Sequence, residues 1–462
     1  MKLKGPGFSA PRYPLWRSKK RPRRAMALVL VLWVMVVLCA VALGLSFSSR
    51  LRLQVTASLG AGTKALYLAR AGVERAIAEL VDRRDSVQSL TDLRESEFSD
   101  YSNVELADGS YTLFAGLDGE GDPLYGIIDE AARINVNTAD QAVLGKVPGM
   151  NSELISEILS KRTGQPFHNL NDLLLLERVD LELLFGEDAN GNGLLDANED
   201  DGDQSWPADN ADGRLDRGLA GFLTTWSAAR NVTADGQSRV NINSASAQEL
   251  AKSIPGISSQ EADSIVEHRK KKKFENIAAL LDVELVVKKT EESKESGSRG
   301  ENSGESRRGS ASPARDGSSR TEEKTTVEST GQKAFDINKF QKIADYVTTT
   351  DDKVLKGVVN INTAPYEILV CLPGITEAAA REIVRLQEER EEGFETVANL
   401  LDVEGMSVDL FKQICPHISA RSDVFSVRSF GVIEKGDFYR CVEAVIDRTQ
   451  EVAQIRYWRE IE

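Results

Sequence analysis

The sequence predicts an α+β protein: a long N-terminal helix that crosses a membrane, an antiparallel sheet, and a large α-helical domain inserted into that sheet. Three observations predict it. Ala25 to Phe47 is a run of 23 residues without a charge. A unit with the same landmarks recurs three times between residues 134 and 401. Stretches that alternate apolar and polar residues stand both before and after those repeats.

The uncharged run would span about 34 Å as a helix, enough for a bilayer core. It is longer than the apolar core of a signal peptide, and no small-residue cleavage site follows it. The first 25 residues hold nine basic and no acidic side chains, in a chain whose formal charge is −15. That basic flank predicts a cytoplasmic N-terminus and a main body across the membrane. Residues 50–84 keep helical spacing, with Leu59, Leu66, Val73, Ile77 and Leu80 near one stripe. One helix from Met26 to Arg84 would measure about 88 Å, locally weakened by Gly60, Gly62 and Gly72.

Residues 101–137 read as strands. Tyr111-Thr-Leu-Phe-Ala and Tyr125-Gly-Ile-Ile-Asp flank the turn-rich Asp118-Gly-Glu-Gly-Asp-Pro, a hairpin pattern. The three repeats follow. They open with Ile134-Asn-Val-Asn137, Val240-Asn-Ile-Asn243 and Val359-Asn-Ile-Asn362, and reach a Pro-Gly at Gly149, Gly256 and Gly374. Phe167, Phe274 and Phe394 come next, each with a leucine pair six residues on. Such recurrence marks a shared supersecondary unit. The unit reads as a helix-hairpin-helix: the Asn and Ser/Thr cluster is suited to capping the first helix, and Pro-Gly separates the two helices. The inserted domain is placed at 138–420. Within it, residues 288–333 have Val327 as their one strongly apolar side chain and read as a disordered insert. After residue 421 the alternation returns as a three-stranded meander.

Composition excludes several functions. With 41% hydrophobic and 28% charged residues, the chain is neither wholly disordered nor collagen-like. Four cysteines are too few for a disulfide scaffold, and three histidines leave little room for zinc or histidine catalysis. Cys371, Cys415 and Cys441 fall on the far side of the membrane. Their odd number leaves at least one unpaired or bonded to another chain, and a Cys371–Cys415 pair stays open. No nucleophile–base arrangement, phosphate loop or zinc cluster is present, so no enzyme is expected.

The sharpest chemical signal is a loop opened by Asp188. Asp188, Asn190, Asn192, Asp196 and Glu199 stand at positions 1, 3, 5, 9 and 12, with Gly193 at 6 and the Leu194 carbonyl available at 7. That is EF-hand spacing, which supplies the six or seven oxygens Ca2+ requires. No exiting helix follows, so a structural ion is expected and not a sensor. Asp209, Asp212 and Asp216 keep part of the pattern. Ala208 and Leu219 fill its first and last positions, leaving a second site or one that shares ligands with the first.

The hairpins also resemble those that bind DNA through backbone amides. Here Asn151, Ser258 and Thr376 replace the second hairpin glycine, and Glu153, Glu261 and Glu377 follow closely. The second copy alone has a basic cluster, Arg269 to Lys273. An acidic body with carboxylates where phosphate would sit predicts no nucleic-acid binding.

Arg-Arg-Ala25 before Met26-Ala-Leu-Val-Leu-Val-Leu-Trp33 resembles the leader junction cut by prepilin peptidase. Most pilins carry Glu at the fifth mature position, where this chain has Leu30. With Tyr67-Leu-Ala-Arg-Ala-Gly-Val-Glu-Arg-Ala76, this resembles the K subunit of the type II secretion system, a minor pseudopilin. The resemblance covers nearly the whole chain outside 288–333 and the first 20 or so residues. It implies cleavage between Ala25 and Met26, N-methylation of Met26, an inner-membrane anchor and a periplasmic body. It also implies a pseudopilin-like sheet and a place at the pseudopilus tip with the I- and J-type minor pseudopilins and the major pseudopilin. Contact with the secretin or exported proteins would follow. The repeat opening Val-Asn-Ile-Asn-Thr-Ala also resembles membrane-anchored competence DNA receptors, the alternative reading.

Overall fold

The computed structural model describes residues 23–84, 89–94, 100–118, 121–202, 204–207, 209–290, 325–390, 392–433 and 438–461. The basic leader up to residue 22 and the centre of the 288–333 insert lie outside these residues. The chain divides into two units, Met1–Thr63 and Lys64–Glu462.

In the first unit the described residues belong to helix α1 (Arg23–Asp82), and the large apolar side chains from Met26 to Leu59 are exposed. A helix that is hydrophobic all round and packs against nothing suits lipid. It is a candidate membrane span.

In the second unit the last turns of α1 pack on an antiparallel sheet. Its strands are β1 (Val104–Leu106), β2 (Gly109–Leu117), β3 (Pro123–Tyr125), β4 (Ile128–Asp129), β5 (Val424–Ile433), β6 (Phe438–Asp447) and β7 (Gln454–Ile461). The order is β1-β2-β5-β6-β7, with β3 paired to β2 and β4 to β5. β2 and β3 form the anticipated hairpin, and β5–β7 the meander. β4 departs from expectation: it leaves the hairpin and pairs with β5 across the whole inserted domain.

The predicted stripe faces the sheet from Leu66 to Leu80, with Val73 and Leu80 in its core, and small residues that the stripe did not indicate complete the contact. Ala65, Ala69, Val73, Ala76 and Leu80 are buried, whereas Leu59 is exposed. A side chain at Gly72 would strike Ser429 at 2.2 Å and Tyr111 at 2.8 Å. Gly431 opposite lies against the backbone of Ala65 and Ala69. The glycine that weakens the helix locally is therefore what lets it approach the sheet.

The inserted domain is three copies of one closed unit. Each copy begins and ends with two residues that pair in parallel: Ile134–Asn135 with Leu223–Thr224, Val240–Asn241 with Val347–Thr348, and Val359–Asn360 with Ile418–Ser419. Between them run a short helix, the hairpin, a 13-residue helix, a 3-10 turn and a third helix. The 13-residue helices are Ser152–Gly164, Ser259–Lys271 and Glu377–Glu389. The third helices are Leu181–Phe185, Ile337–Ile343 and Val408–Ile414. One apolar core, including Leu154, Ile158, Ile265, Phe340, Ile383 and Phe411, runs through all three copies.

The 288–333 insert needs correction at its ends. Glu284–Thr290 and Thr325–Lys333 pair as an antiparallel ribbon, with Val286 buried. Backbone pairing and one apolar anchor order residues whose polar composition gave no sign of it. The ribbon splits the second copy between its 3-10 turn and its third helix. Cys371, Cys415 and Cys441 are buried, unbonded thiols, so the Cys371–Cys415 pair does not form. Burial pushes the Cys415 and Cys441 thiols up to about 12 and Cys371 to about 11.

Candidate metal loops and repeat hairpins

The last Asn of each repeat opening does not cap the first helix. Asp140, Ser246 and Pro365 hold the N-cap positions. Instead, the first Asn of each pair accepts the N–H of the second, at 2.9–3.0 Å, turning its amide inward. The second Asn then grips the backbone of the repeat Phe. Asn137 accepts the Phe167 N–H at 2.8 Å and donates to its carbonyl at 2.9 Å. Asn243 does the same with Phe274, and Asn362 with Phe394. A carboxamide supplies both an acceptor and a donor, which an extended backbone requires; Asp or Ser supplies less. The Asn–Phe coincidence in the sequence thus records a physical contact. A long side chain on each 13-residue helix adds a second tie. Arg162 donates to the Val136 and Ala139 carbonyls, Arg269 to that of Ile242, and Gln387 to those of Ile361 and Ala364. Arg269, read in the sequence as part of a basic cluster, is therefore a structural donor.

At the hairpins, Gly149, Gly256 and Gly374 have φ of 79°, 79° and 73°. Asn151, Ser258 and Thr376, in place of the second glycine, cap the following helix. Gly149 faces Leu183 and Leu219, and Gly374 faces Leu410 and Gln413. The third helix of the copy thus covers the hairpin. Gly256 of the split second copy meets nothing within 4 Å. Beside it, Glu261 is bonded to Lys339 and Ser258, which hold its carboxyl below the usual range against the opposing effect of burial.

The Asp188 loop gathers its predicted side chains. Gly193 donates its N–H to both Asp188 carboxylate oxygens, at 3.0 and 3.2 Å. Glu199 folds back over the loop and accepts from the Ala189 and Asp196 N–H groups, both at 3.1 Å. The Asn190 and Asn192 amides donate to Asp196 at 2.7 and 2.8 Å. Gly191 and Gly193 supply the positive φ the turn requires. Leu194 sends its side chain toward Phe114, Phe430 and Cys441, fixing the loop on the sheet. Glu199 is 1% exposed and Asp188 4%. Burial, with Asp188 and Asp196 as negative neighbours, raises the Glu199 carboxyl above its usual range. Among the described residues no His, Cys, Asp and Glu side chains cluster tightly enough to hold a metal by themselves. Amide and backbone oxygens would have to complete a cation's shell, as they do for a hard ion. Glu199, raised by burial and by Asp188 and Asp196 on either side, would be relieved by a divalent cation, although Arg217, Arg428 and Arg459 lie on the Asp188 side of the loop.

The second loop is assembled differently from its sequence pattern. Asp209 turns away, accepting the N–H groups of Asp201, Gly202 and Ala211. Asp212 and Asp216 accept from the N–H groups two residues on. The position-1 role falls to Asp200, which accepts the Gly213 N–H at 3.0 Å as Asp188 accepts that of Gly193. Glu187, 7% exposed, takes the closing role of Glu199, accepting from Asp216 at 3.0 Å and Asn210 at 3.4 Å. Sequence reasoning missed both because they flank the other loop. The signal was available: Ala208 and Leu219 cannot ligate through side chains, so two carboxylates had to be borrowed.

The inserted domain joins the sheet through two buried carboxylates. Asp129 accepts from Asn360 and Thr363, both at 2.7 Å, and from the Ala131 N–H. Asp423 accepts from Arg230 through backbone and side chain, at 2.6 and 3.0 Å, and pairs with Arg448 at 3.2 Å.

Comparison with known proteins gives matches of two kinds. The family described as helix-hairpin-helix motif matches residues 129–184, 235–294 and 354–419. Among solved structures, the crystal structure of the GspK-GspI-GspJ complex from the enterotoxigenic Escherichia coli type 2 secretion system contains a similar chain. The identity is 14% and the TM-score 0.31, over 89% of this chain and 99% of that one. No curated protein matches the sequence. At that TM-score the structural likeness carries no argument, and the helix-hairpin-helix match agrees with the three closed repeats.

Proposed function

We propose that this chain is an anchored assembly subunit, a minor pseudopilin of type II secretion, with a cytoplasmic N-terminus and a periplasmic body. The observation that carries the reading is the three-repeat domain inserted between β4 and β5, in the sheet on which the N-terminal helix packs. A helix of that apolarity serves both as anchor and as packing surface in a helical assembly. A domain of nearly 300 residues emerging between β4 and the central strand β5 would obstruct addition of further subunits, which suits a tip position beside I- and J-type partners. Leu30, where other pilins carry Glu, leaves no carboxylate in the hydrocarbon to pair with a neighbour above.

Mass spectrometry of the membrane-bound protein tests this. The expected N-terminus is methylated Met26, formed only where prepilin peptidase is active. An intact Met1 in both samples would remove the reading.

The two loops are assigned structural Ca2+: Asp188, Asn190, Asn192, Asp196, Glu199 and the Leu194 carbonyl in the first, and Glu187, Asp200, Asn210, Asp212 and Asp216 around the second. Bound ion would neutralise the buried carboxylates and clamp a loop of about 30 residues; no catalytic step is assigned to it. Extracytoplasmic sites of this type bind at about 10⁻⁴–10⁻³ M. Saturating Ca2+ is expected to add about 1–3 kcal/mol over chelator. Glu199→Gln should abolish most of that increment. Equal melting temperatures in Ca2+ and chelator would show that the carboxylates manage without an ion.

The helix-hairpin-helix match keeps a second reading in view, a membrane-anchored DNA receptor. Covered hairpins in the first and third copies and the Glu261–Lys339 pair in the second speak against it. Duplex DNA is expected not to bind at low salt, and salt-dependent binding would reverse the order of the two readings.

A further inference from the structure

Between the first repeat and the sheet lies a cavity with about 80 Å³ of accessible space. Four arginines line it: Arg133 and Arg217 from the repeat, Arg428 from β5 and Arg459 from β7. Three carboxylates face them, Glu130, Asp188 and Glu443. The acceptors are largely spent elsewhere. Glu130 takes Arg133 at 2.8 Å and is also bonded to the Thr224 and Ser426 hydroxyls. Asp188 accepts the Gly193 N–H of its own loop through both oxygens. Arg459 donates to the Asn190 carbonyl. Glu443 reaches Arg428 through Nη2 alone, at 3.4 Å.

Arg428 is 4% exposed, and its Nε and Nη1 meet no acceptor among the described residues. The same holds for the buried Nε of Arg217. Arg217 lies within electrostatic reach of both Arg428 and Arg133. Arg428 Nη1 packs against Gly193, where a Cβ would fall 1.9 Å away. A buried guanidinium with idle donors, crowded by others of like charge, is costly unless an anion meets it. The planar, forked donors of arginine match oxyanions in particular.

We propose that this cavity binds one small inorganic oxyanion of the phosphate or sulfate type, gripped by Arg428 and Arg217 and flanked by Arg133. The ion joins the inserted domain to the sheet, since its ligands come from both. The forked donors converge over a space that a free ion fills. This site does not depend on the pseudopilin reading.

Thermal unfolding and titration calorimetry on the full chain in detergent micelles test it. Inorganic phosphate and, separately, sulfate are added at constant ionic strength and fixed Ca2+, against chloride. The expected result is saturable binding near 1:1 with a matching rise in melting temperature. Arg428→Gln should weaken it at least tenfold. Arg217→Gln, at a less deeply buried position, should weaken it several-fold, and Arg385→Gln on an exposed helix should leave it unchanged. A linear, unsaturable response, or one equal in all variants, would reduce the effect to general salting and overturn the proposal. So would an Arg428→Gln protein that is more stable than the parent while phosphate leaves both unmoved.

Discussion

Replacing Asp423 by Ala is expected to cost about 3–5 kcal/mol, the effect of stripping a buried carboxylate from its cations. Asp423 accepts from Arg230 twice and forms an ion pair with Arg448, and its own backbone bonds to Ala228 and Arg448. Arg448 is 2% exposed, donates to the Leu80 and Ser422 carbonyls and lies 4.8 Å from the Phe425 ring. It cannot swing to solvent without abandoning the end of α1. One substitution therefore unsettles helix, sheet and inserted domain together. Urea unfolding of the detergent-solubilised protein should show the loss, with Asp345→Ala milder, since that carboxylate and its partners Arg239 and Arg421 are less deeply buried. A loss below about 1 kcal/mol for Asp423→Ala would mean that water reaches the arginines and that the junction is soft.

Asn362→Ala is the second large effect. Asn362 is 1% exposed, and its amide makes bonds to the Phe394 N–H and carbonyl and to the Ala420 carbonyl. Gly393, at φ 66°, provides the space in which its oxygen sits. Removing the amide leaves three buried backbone groups without partners, at about 1–3 kcal/mol each in part compensated by relaxation, so a net loss of about 3–4 kcal/mol is expected. Asn137→Ala and Asn243→Ala should cost about half as much, because those amides are half-buried and water can replace them. Chemical denaturation of the three variants side by side gives the order. Equal losses would indicate that the clamp stabilises by shape and not by exclusion of water.

The arrangement of helix, sheet and repeats was legible because each rests on periodicity or recurrence. The uncharged run, the alternating strands and the threefold Pro-Gly are local signals that tertiary context leaves intact. What stayed hidden depends on partners distant in the chain. The opening Asn looked like a helix cap because Asn commonly caps; its true partner lies 30 to 32 residues on. The small residues on the sheet-facing side of α1 were obscured by larger side chains nearby, since close approach is an attribute of the sheet opposite. The side chains gathered by the Asp188 loop could be listed residue by residue because they are contiguous. Those of the second loop could not, because Asp200 and Glu187 come from outside its own segment.

The parallel pairing that closes each repeat places its entrance beside its exit. Such a unit is a module whose connecting segments can lengthen with little effect on the fold, since loop entropy grows only slowly with length. The second copy demonstrates the tolerance: its ribbon carries 34 further residues between Thr290 and Thr325 while its third helix still docks. That position is a ready-made port for cargo. A fluorescent protein or affinity tag spliced between residues 291 and 324 is expected to leave the closed core of the repeats intact, which thermal unfolding of the tagged and untagged proteins would check.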